Sequence, residues 1–463
     1  MSRLVALTAA VGAASIAACA VRAQDARPRA GYRATSPHWP HLRVQVTDYR
    51  IQYQADANAR MAEYEWAARR FDRIILDFGD KRSVPVYRRL NPTAEVYRYA
   101  LSWTVVQPGS LRSEDAGVAY YTQMLAWYGR HPEFRLEDAF LHDRRCGPAG
   151  GRPANCRVTL RIWNQDRWVI NPGDAGLRAY HRERLAAVAA DADGLFLDEH
   201  SAYDFRSRLD PSRLVEYADW GAYERDMLVL LRGLRAAIGP RKRILLNTAT
   251  SVTPFDLQMV GAAGGTHAEA FNNPFFPEME KRWRFAESVL AAGGRMDLPP
   301  GGDMPSGYTP GNSGTSTDRR RLWELASYYL VAPEVPGLLA YNPGNKWKEP
   351  FAKQWVPAAE VDVGTPRGPR QVFTKGRDRS GRAYRVWARE YDGALVLVRP
   401  LVEWGPAAYG DETGVELRLP PGGYAYRPLH ADGRVGAALT GVVLRAGEAA
   451  VLLTSRGRSA DAG

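Results

Sequence analysis

Cysteine is scarce, with three in 463 residues. One, Cys19, lies in the N-terminal apolar region; the other two, Cys146 and Cys156, bracket a Gly/Pro-rich loop, and two thiols without clustered histidines make a poor zinc site. Histidine is nearly as sparse, eight residues without a His-x-His pair, which argues against a metal centre and leaves the expectation of no metal and no cofactor. Beyond the N-terminus no run is long and apolar enough to span a bilayer. No Gly-rich phosphate loop follows the first strand, which sets aside the dinucleotide-binding class. Lys and Arg outnumber Asp and Glu by 62 to 51, yet the excess is scattered and no nucleic-acid motif accompanies it. The charge reads as an Arg-rich surface, with no nucleic-acid partner.

What the chain has is globular. Hydrophobic content is 45% and charged content 24%, near the averages for a packed protein. The length suits a barrel of roughly 250 to 350 residues followed by a domain of about 100. Arg3 precedes an Ala-rich apolar run over 4–18, and Ile16-Ala17-Ala18-Cys19 looks like a bacterial lipobox. The expectation is a lipoprotein-type signal over 1–18, a lipid on Cys19 that attaches the chain to a membrane, and a tether over 19–40. Cleavage after Ala20 or Ala23 is the competing outcome and would release a soluble protein; both export the chain from a bacterial cytoplasm. In an oxidising compartment Cys146 and Cys156 are expected to form a disulfide.

The stretch Gly194-Leu195-Phe196-Leu197-Asp198-Glu199-His200 organises the rest. Its short apolar run reads as a buried parallel strand that stops at two carboxylates and an imidazole. A helix over 174–190 precedes it. Helix-period segments over 211–238, 255–260, 277–292 and 318–331 then alternate with strands at 243–247, 266–271, 295–298 and 337–341, which indicates a parallel sheet closed into a (β/α)8 barrel over 41–357. Earlier strand candidates at 41–47, 73–78, 95–103 and 157–163 leave open which belong to the wall, and 133–156 reads as a disulfide-stapled excursion. From 358 to 456 short β-branched and aromatic runs, with Asp392-Gly393 and Asp432-Gly433 as hairpin turns, predict a C-terminal all-β sandwich. Residues 457–463 are a tail.

Asp198 and Glu269 head the candidate chemistry, each at or just past a strand end with one strand unit between them. Two carboxylates across a barrel mouth are the kit for glycoside hydrolysis, one protonating the leaving oxygen and the other attacking or activating water. The pattern Asp193-Gly194-Leu195-Phe196-Leu197-Asp198, with a Glu two strands on and a terminal β-sandwich, resembles the hypothetical glycosyl hydrolase barrels of bacterial exported proteins. More distantly it is similar to the endo-α-1,4-polygalactosaminidases, where an Asp after the fourth strand and a Glu after the sixth are the catalytic pair. The resemblance covers roughly 71–343, and it implies that Asp198 takes the Asp position and Glu269 the Glu position. Polar neighbours Glu199 and His200 would keep Asp198 ionised, while Ala268, Ala270 and Phe271 would surround Glu269 with apolar groups and keep it protonated.

Glu199 is expected to bind a substrate hydroxyl or pair with an Arg. His200 and His267 could contact substrate or, in a rival reading, join the carboxylates on a metal. Asp77, Asn247, Asp297 and Asn342 end other strands and could hydrogen-bond hydroxyls. Trp103, Trp163, Trp168, Tyr203, Phe275, Tyr341 and Trp347 could stack on sugar rings. The expected protein is a monomeric exported glycosidase acting on an oligo- or polysaccharide. A catalytically inactive glycan-binding lipoprotein and a metal-dependent barrel hydrolase are the alternatives. Intact mass of the membrane fraction tests the export reading: a lipid-bearing N-terminal Cys19 is expected, and a mature chain starting at Gln24 would remove the anchor.

Overall fold

The computed structural model describes residues 42–48, 51–77, 80–109, 116–146, 152–162, 165–248, 251–269, 271–272, 278–299, 316–334, 337–343, 350–401, 414–421 and 424–456. Cys19, the signal and tether, the tail, Trp163, Phe275 and Trp347 lie outside the described residues.

The chain opens with β1 (Gln45–Asp48), β2 (Arg73–Leu76) and β3 (Glu95–Leu101), interleaved with helices Ala57–Arg70 and Ser83–Leu90. It then leaves the wall for a three-stranded antiparallel sheet of β4 (Thr104–Val106), β5 (Thr159–Ile162) and β6 (Gln165–Val169), ordered β4-β6-β5. The wall resumes with β7 (Gly194–Asp198), β8 (Arg243–Asn247), β9 (Gly265–His267), β10 (Arg295–Leu298) and β11 (Leu339–Tyr341). Neighbours run β1-β2-β3-β7-β8-β9-β10-β11, every pair parallel. A parallel bridge from Val44 to Tyr341, with the Tyr341 N–H donating to the Arg43 carbonyl at 2.7 Å, joins the last strand to the first. The sheet therefore closes as the eight-stranded barrel expected from the alternating pattern.

Three expectations shift. The strand at 157–163, whose place the sequence left open, lies outside the wall: β5 pairs with β6, so the excursion between the third and fourth barrel strands carries a small sheet as well as the stapled loop. Cys146 and Cys156 are joined within it, their Cα atoms 5.3 Å apart. The helix read over 211–238 begins at Trp220, because Asp210 caps only a short turn over Pro211–Arg213 and Asp219 then caps a new helix by accepting from Ala222 N. The strand read over 266–271 ends at His267, where the chain turns and Phe271 N donates to Ala268 O at 2.9 Å.

Inside the barrel Ile75, Tyr97, Phe196 and Leu245 pack as one apolar layer with Tyr99 against it. Such a layer fits only if some inward positions are empty. Gly194 and Gly265 supply that space. A Cβ on Gly265 would meet Leu245 Cδ2 at 2.7 Å, and one on Gly194 would meet Arg243 O at 2.0 Å and Tyr97 Cε1 at 2.8 Å. Below this layer Glu95 is bridged by Arg73 and Arg295.

The C-terminal region is a five-stranded antiparallel sheet of β12 (Gln371–Arg377), β13 (Ala383–Glu390), β14 (Ala394–Arg399), β16 (Tyr424–Pro428) and β18 (Glu448–Arg456), with a two-stranded sheet of β15 (Val415–Arg418) and β17 (Gly441–Leu444). Leu395, Leu397 and Leu452 from the first meet Leu417 and Leu444 from the second in a shared core. Asp392-Gly393 makes the β13–β14 hairpin, with Tyr391 N donating to Ala394 O at 2.8 Å. The larger sheet is tied to two barrel helices. Arg389 Nη1 donates to the carbonyls of Tyr329, Leu330 and Ala332, which end helix Ser316–Val331. Arg370 makes two bonds to Glu287, and Trp387 Nε1 donates to Glu280, on helix Met279–Ala291.

Gly194→Ala is expected to destabilise the fold by about 2 to 3 kcal/mol, because the backbone carbonyl it would strike belongs to the neighbouring strand and cannot rotate aside. Urea unfolding checks this; a change under about 0.5 kcal/mol would contradict it.

Candidate active site

Side chains alternate along a strand, so the inward set of β7 is Gly194, Phe196 and Asp198. Asp198 is thereby placed at the rim above the apolar layer. Its Oδ2 accepts the Tyr99 hydroxyl at 2.6 Å, and its Oδ1 accepts Asn247 Nδ2 at 2.7 Å and the Glu199 N–H at 2.9 Å. Three donors on two oxygens suit an ionised carboxylate, which can only accept.

Asn247, ending β8, uses the same amide nitrogen for Glu269, whose Oε2 lies 2.9 Å away. With both oxygens on one nitrogen, at 2.7 and 2.9 Å, Asp198 Oδ1 and Glu269 Oε2 lie within about 5.6 Å of each other. Asp198 is half-buried and Glu269 is exposed. Against the apolar enclosure expected for it, Glu269 is exposed, while Ala268 and Phe271 are buried and the Phe271 ring lies beside Arg282 of helix Met279–Ala291.

Glu199 is the one non-glycine among the described residues with positive φ, at 61°, a conformation that costs a side-chain-bearing residue roughly 1 to 2 kcal/mol. Two groups of the inserted sheet hold it. Thr104 Oγ1 donates to its Oε2 at 2.9 Å and Arg167 Nη1 to its Oε1 at 2.5 Å, with the two charged side chains 12% and 8% exposed. Of the two roles open to Glu199 from sequence, pairing with Arg is the one observed. His200 is buried, its Nδ1 donating to the Asp198 carbonyl at 2.8 Å and its Nε2 meeting Ser102 Oγ at 3.1 Å. A carbonyl can only accept, so Nδ1 carries the hydrogen and Nε2 takes the serine's. Burial lowers this imidazole to about 4 against the pull of Asp198. Neutral, with both nitrogens engaged, His200 braces the strand end.

Beneath Glu269 lies a closed polar cluster. Asp297 Oδ2 accepts His267 Nδ1 at 2.7 Å and Asn342 Nδ2 at 3.2 Å, and all three residues are buried. Burial by itself would lower the His267 pKa. The charge and hydrogen bond of Asp297 outweigh it, with Glu269 and Asp198 adding to the pull, and the pKa is raised.

Of the residues singled out from sequence, Asp198, Asn247 and Glu269 meet directly. His200, His267, Asp297 and Asn342 are buried and bonded to neighbouring protein groups. Trp103, 1% exposed, donates to Tyr223 OH at 2.8 Å and packs on Phe205, so it belongs to the core. Tyr341 is likewise fully buried, edge-on to Tyr328 of the outer helix. Trp168 packs beneath the Arg157 guanidinium. Asp77 stays at the rim and accepts the Tyr53 hydroxyl at 2.9 Å, and Tyr53 and Tyr203 are exposed aromatics, 68% and 63%. Sequence reasoning passed over Tyr99, Arg167 and Tyr53. Tyr99 was accessible from the alternation of β3, whereas Arg167 meets Glu199 only through tertiary folding.

No protein-family model matches the chain, and no curated protein matches it. Among solved structures it is similar to a GH27 β-L-arabinopyranosidase from Geobacillus stearothermophilus, at 9% identity and TM-score 0.49, covering 90% of this chain and 97% of that one. It is also similar to the maltogenic α-amylase AmyB of Thermotoga neapolitana, at 10% identity and TM-score 0.44, covering 89% and 98%. A third is the GH36 α-galactosidase AgaA of Geobacillus stearothermophilus, at 12% identity and TM-score 0.42, covering 90% of this chain and 56% of that one.

The raised His267 pKa has a consequence for stability. Its contribution is fully present below the unfolded value, about 6.5, and is lost as pH rises through the higher folded value. The urea midpoint should therefore fall more steeply as pH rises above about 6.5 in the wild type than in His267→Gln/Asp297→Asn, which removes the charged pair. Equal slopes would contradict the assignment.

Proposed function

We propose that the protein is a glycoside hydrolase acting with retention of configuration, Asp198 serving as nucleophile and Glu269 as general acid and base. The observation that carries this reading is the Asn247 amide shared between the two carboxylates, which keeps their bonded oxygens within about 5.6 Å of each other. Retaining enzymes hold their carboxyl groups about 5 to 5.5 Å apart, too close for the intervening water that inversion requires.

In the first step Asp198 Oδ2 bonds to the anomeric carbon as the glycosidic C–O bond breaks, and Glu269 gives its proton to the departing oxygen. In the second, Glu269, now a carboxylate, takes a proton from water while that water's oxygen bonds to the anomeric carbon and the ester to Asp198 breaks. The exposure of Glu269 suits this double role, since it can exchange protons with solvent between steps. Asn247 stays bonded to both partners and keeps their spacing. Tyr53 and Tyr203 offer apolar faces on which sugar rings can stack. A lipid on Cys19 would hold the enzyme at an envelope surface.

Purified protein should cleave members of an oligosaccharide panel. Asp198→Asn and Glu269→Gln should each lose about 10² or more in rate while remaining folded. Substrates with activated leaving groups should partly rescue Glu269→Gln but not Asp198→Asn, and the first-formed product should keep its anomeric configuration by proton NMR. Inversion would overturn the spacing argument. Binding without turnover would favour the glycan-binding alternative.

A further inference from the structure

We infer that Glu199 is a positioning residue, and that the inserted β4–β6 sheet aims the nucleophile by clamping Glu199 in its left-handed turn. This rests on Asp198 being the nucleophile. Three observations meet at this residue. Glu199 adopts φ 61° immediately after Asp198, and in that conformation its N–H turns back to donate to Asp198 Oδ1 at 2.9 Å. Its own carboxylate is not directed at the reacting pair but is gripped by Thr104 at 2.9 Å and Arg167 at 2.5 Å, from β4 and β6. The next residue is pinned as well, since His200 N donates to Asn247 O at 2.9 Å and its ring to the Asp198 carbonyl.

Left to itself a glutamate would relax out of the left-handed region. Its N–H would then leave Oδ1, and Asp198 would lose one of the two donors on that oxygen. The largely buried Arg167–Glu199 pair is what holds the turn, and Arg167 reaches it only because the excursion folds as a sheet over the barrel rim. That gives the insertion between the third and fourth barrel strands a role: it supplies the outer half of a clamp whose inner half is Asn247.

Amide hydrogen exchange of the 198–200 segment reads the clamp without substrate, and kcat and KM read its effect. Arg167→Met should raise exchange there by about tenfold or more and lower kcat by about tenfold, with KM within about twofold. Thr104→Val, a milder change, should move both in the same direction and covers the case in which Arg167→Met fails to fold. Glu199→Gly enters the left-handed region without strain and should stay within about fivefold of wild-type kcat, whereas Glu199→Val, which resists it, should lose about fiftyfold or more. Unchanged exchange in Arg167→Met and Thr104→Val would overturn the clamp whatever the activity. Equal losses in the glycine and valine variants would overturn it too, and would make the carboxylate itself the working part. Should the wild type cleave no glycoside while exchange follows this order, the clamp stands and the nucleophile reading falls.

Discussion

The parallel hydrogen bonds that join residues 43 and 44 to Tyr341 convert an eight-stranded sheet into a closed wall. Closure puts every strand's C-terminal end on one rim and turns the alternation of each strand into an inside and an outside. The polar groups that face one another at the mouth do so for that reason: Tyr99 from the third barrel strand, Asp198 from the fourth, Asn247 from the fifth, and Glu269 just past the sixth. The same closure demands a packed interior. Gly194 and Gly265 are the concession, small residues opposite Tyr97 and Leu245.

Two carboxylates near each other repel, and the repulsion is stronger where solvent is thin. At this rim hydrogen-bond donors among the described residues work against the repulsion. Asn247 gives one hydrogen to each carboxylate, Tyr99 and the Glu199 N–H complete Asp198, and His267 lies buried below with Asp297. Glu199, one residue away, is paired with Arg167 of the inserted sheet.

The two additions to the barrel attach in different ways. The β-sandwich is tied to the outer helices by Arg389 on the end of Ser316–Val331 and by Arg370 and Trp387 on the glutamates of Met279–Ala291. Those contacts lie on helices outside the wall. The inserted sheet reaches the rim itself through Thr104 and Arg167.

From sequence alone, the barrel and the all-β C-terminal region were legible because each rests on periodicity, and periodicity is local: 3.6 for the helices, 2 for the outer strands, unbroken apolar runs for the wall. Asp198 was legible because a buried strand that stops in a carboxylate is itself a local pattern, and the DG hairpin at Asp392-Gly393 was too. Tertiary structure decided what depends on approach between distant residues. Asn247 read as one of four interchangeable strand-end groups until closure set it between Asp198 and Glu269. Trp103, His200 and Tyr341 read as surface candidates, and only the packing of outer helices and loops shows them buried. Glu269 read as enclosed by its apolar chain neighbours, but neighbours in a chain point to opposite sides, so its surroundings come from other strands. Arg167 and the left-handed turn at Glu199 left no local mark, since a φ of this sign on a glutamate is held by partners that sequence does not place beside it.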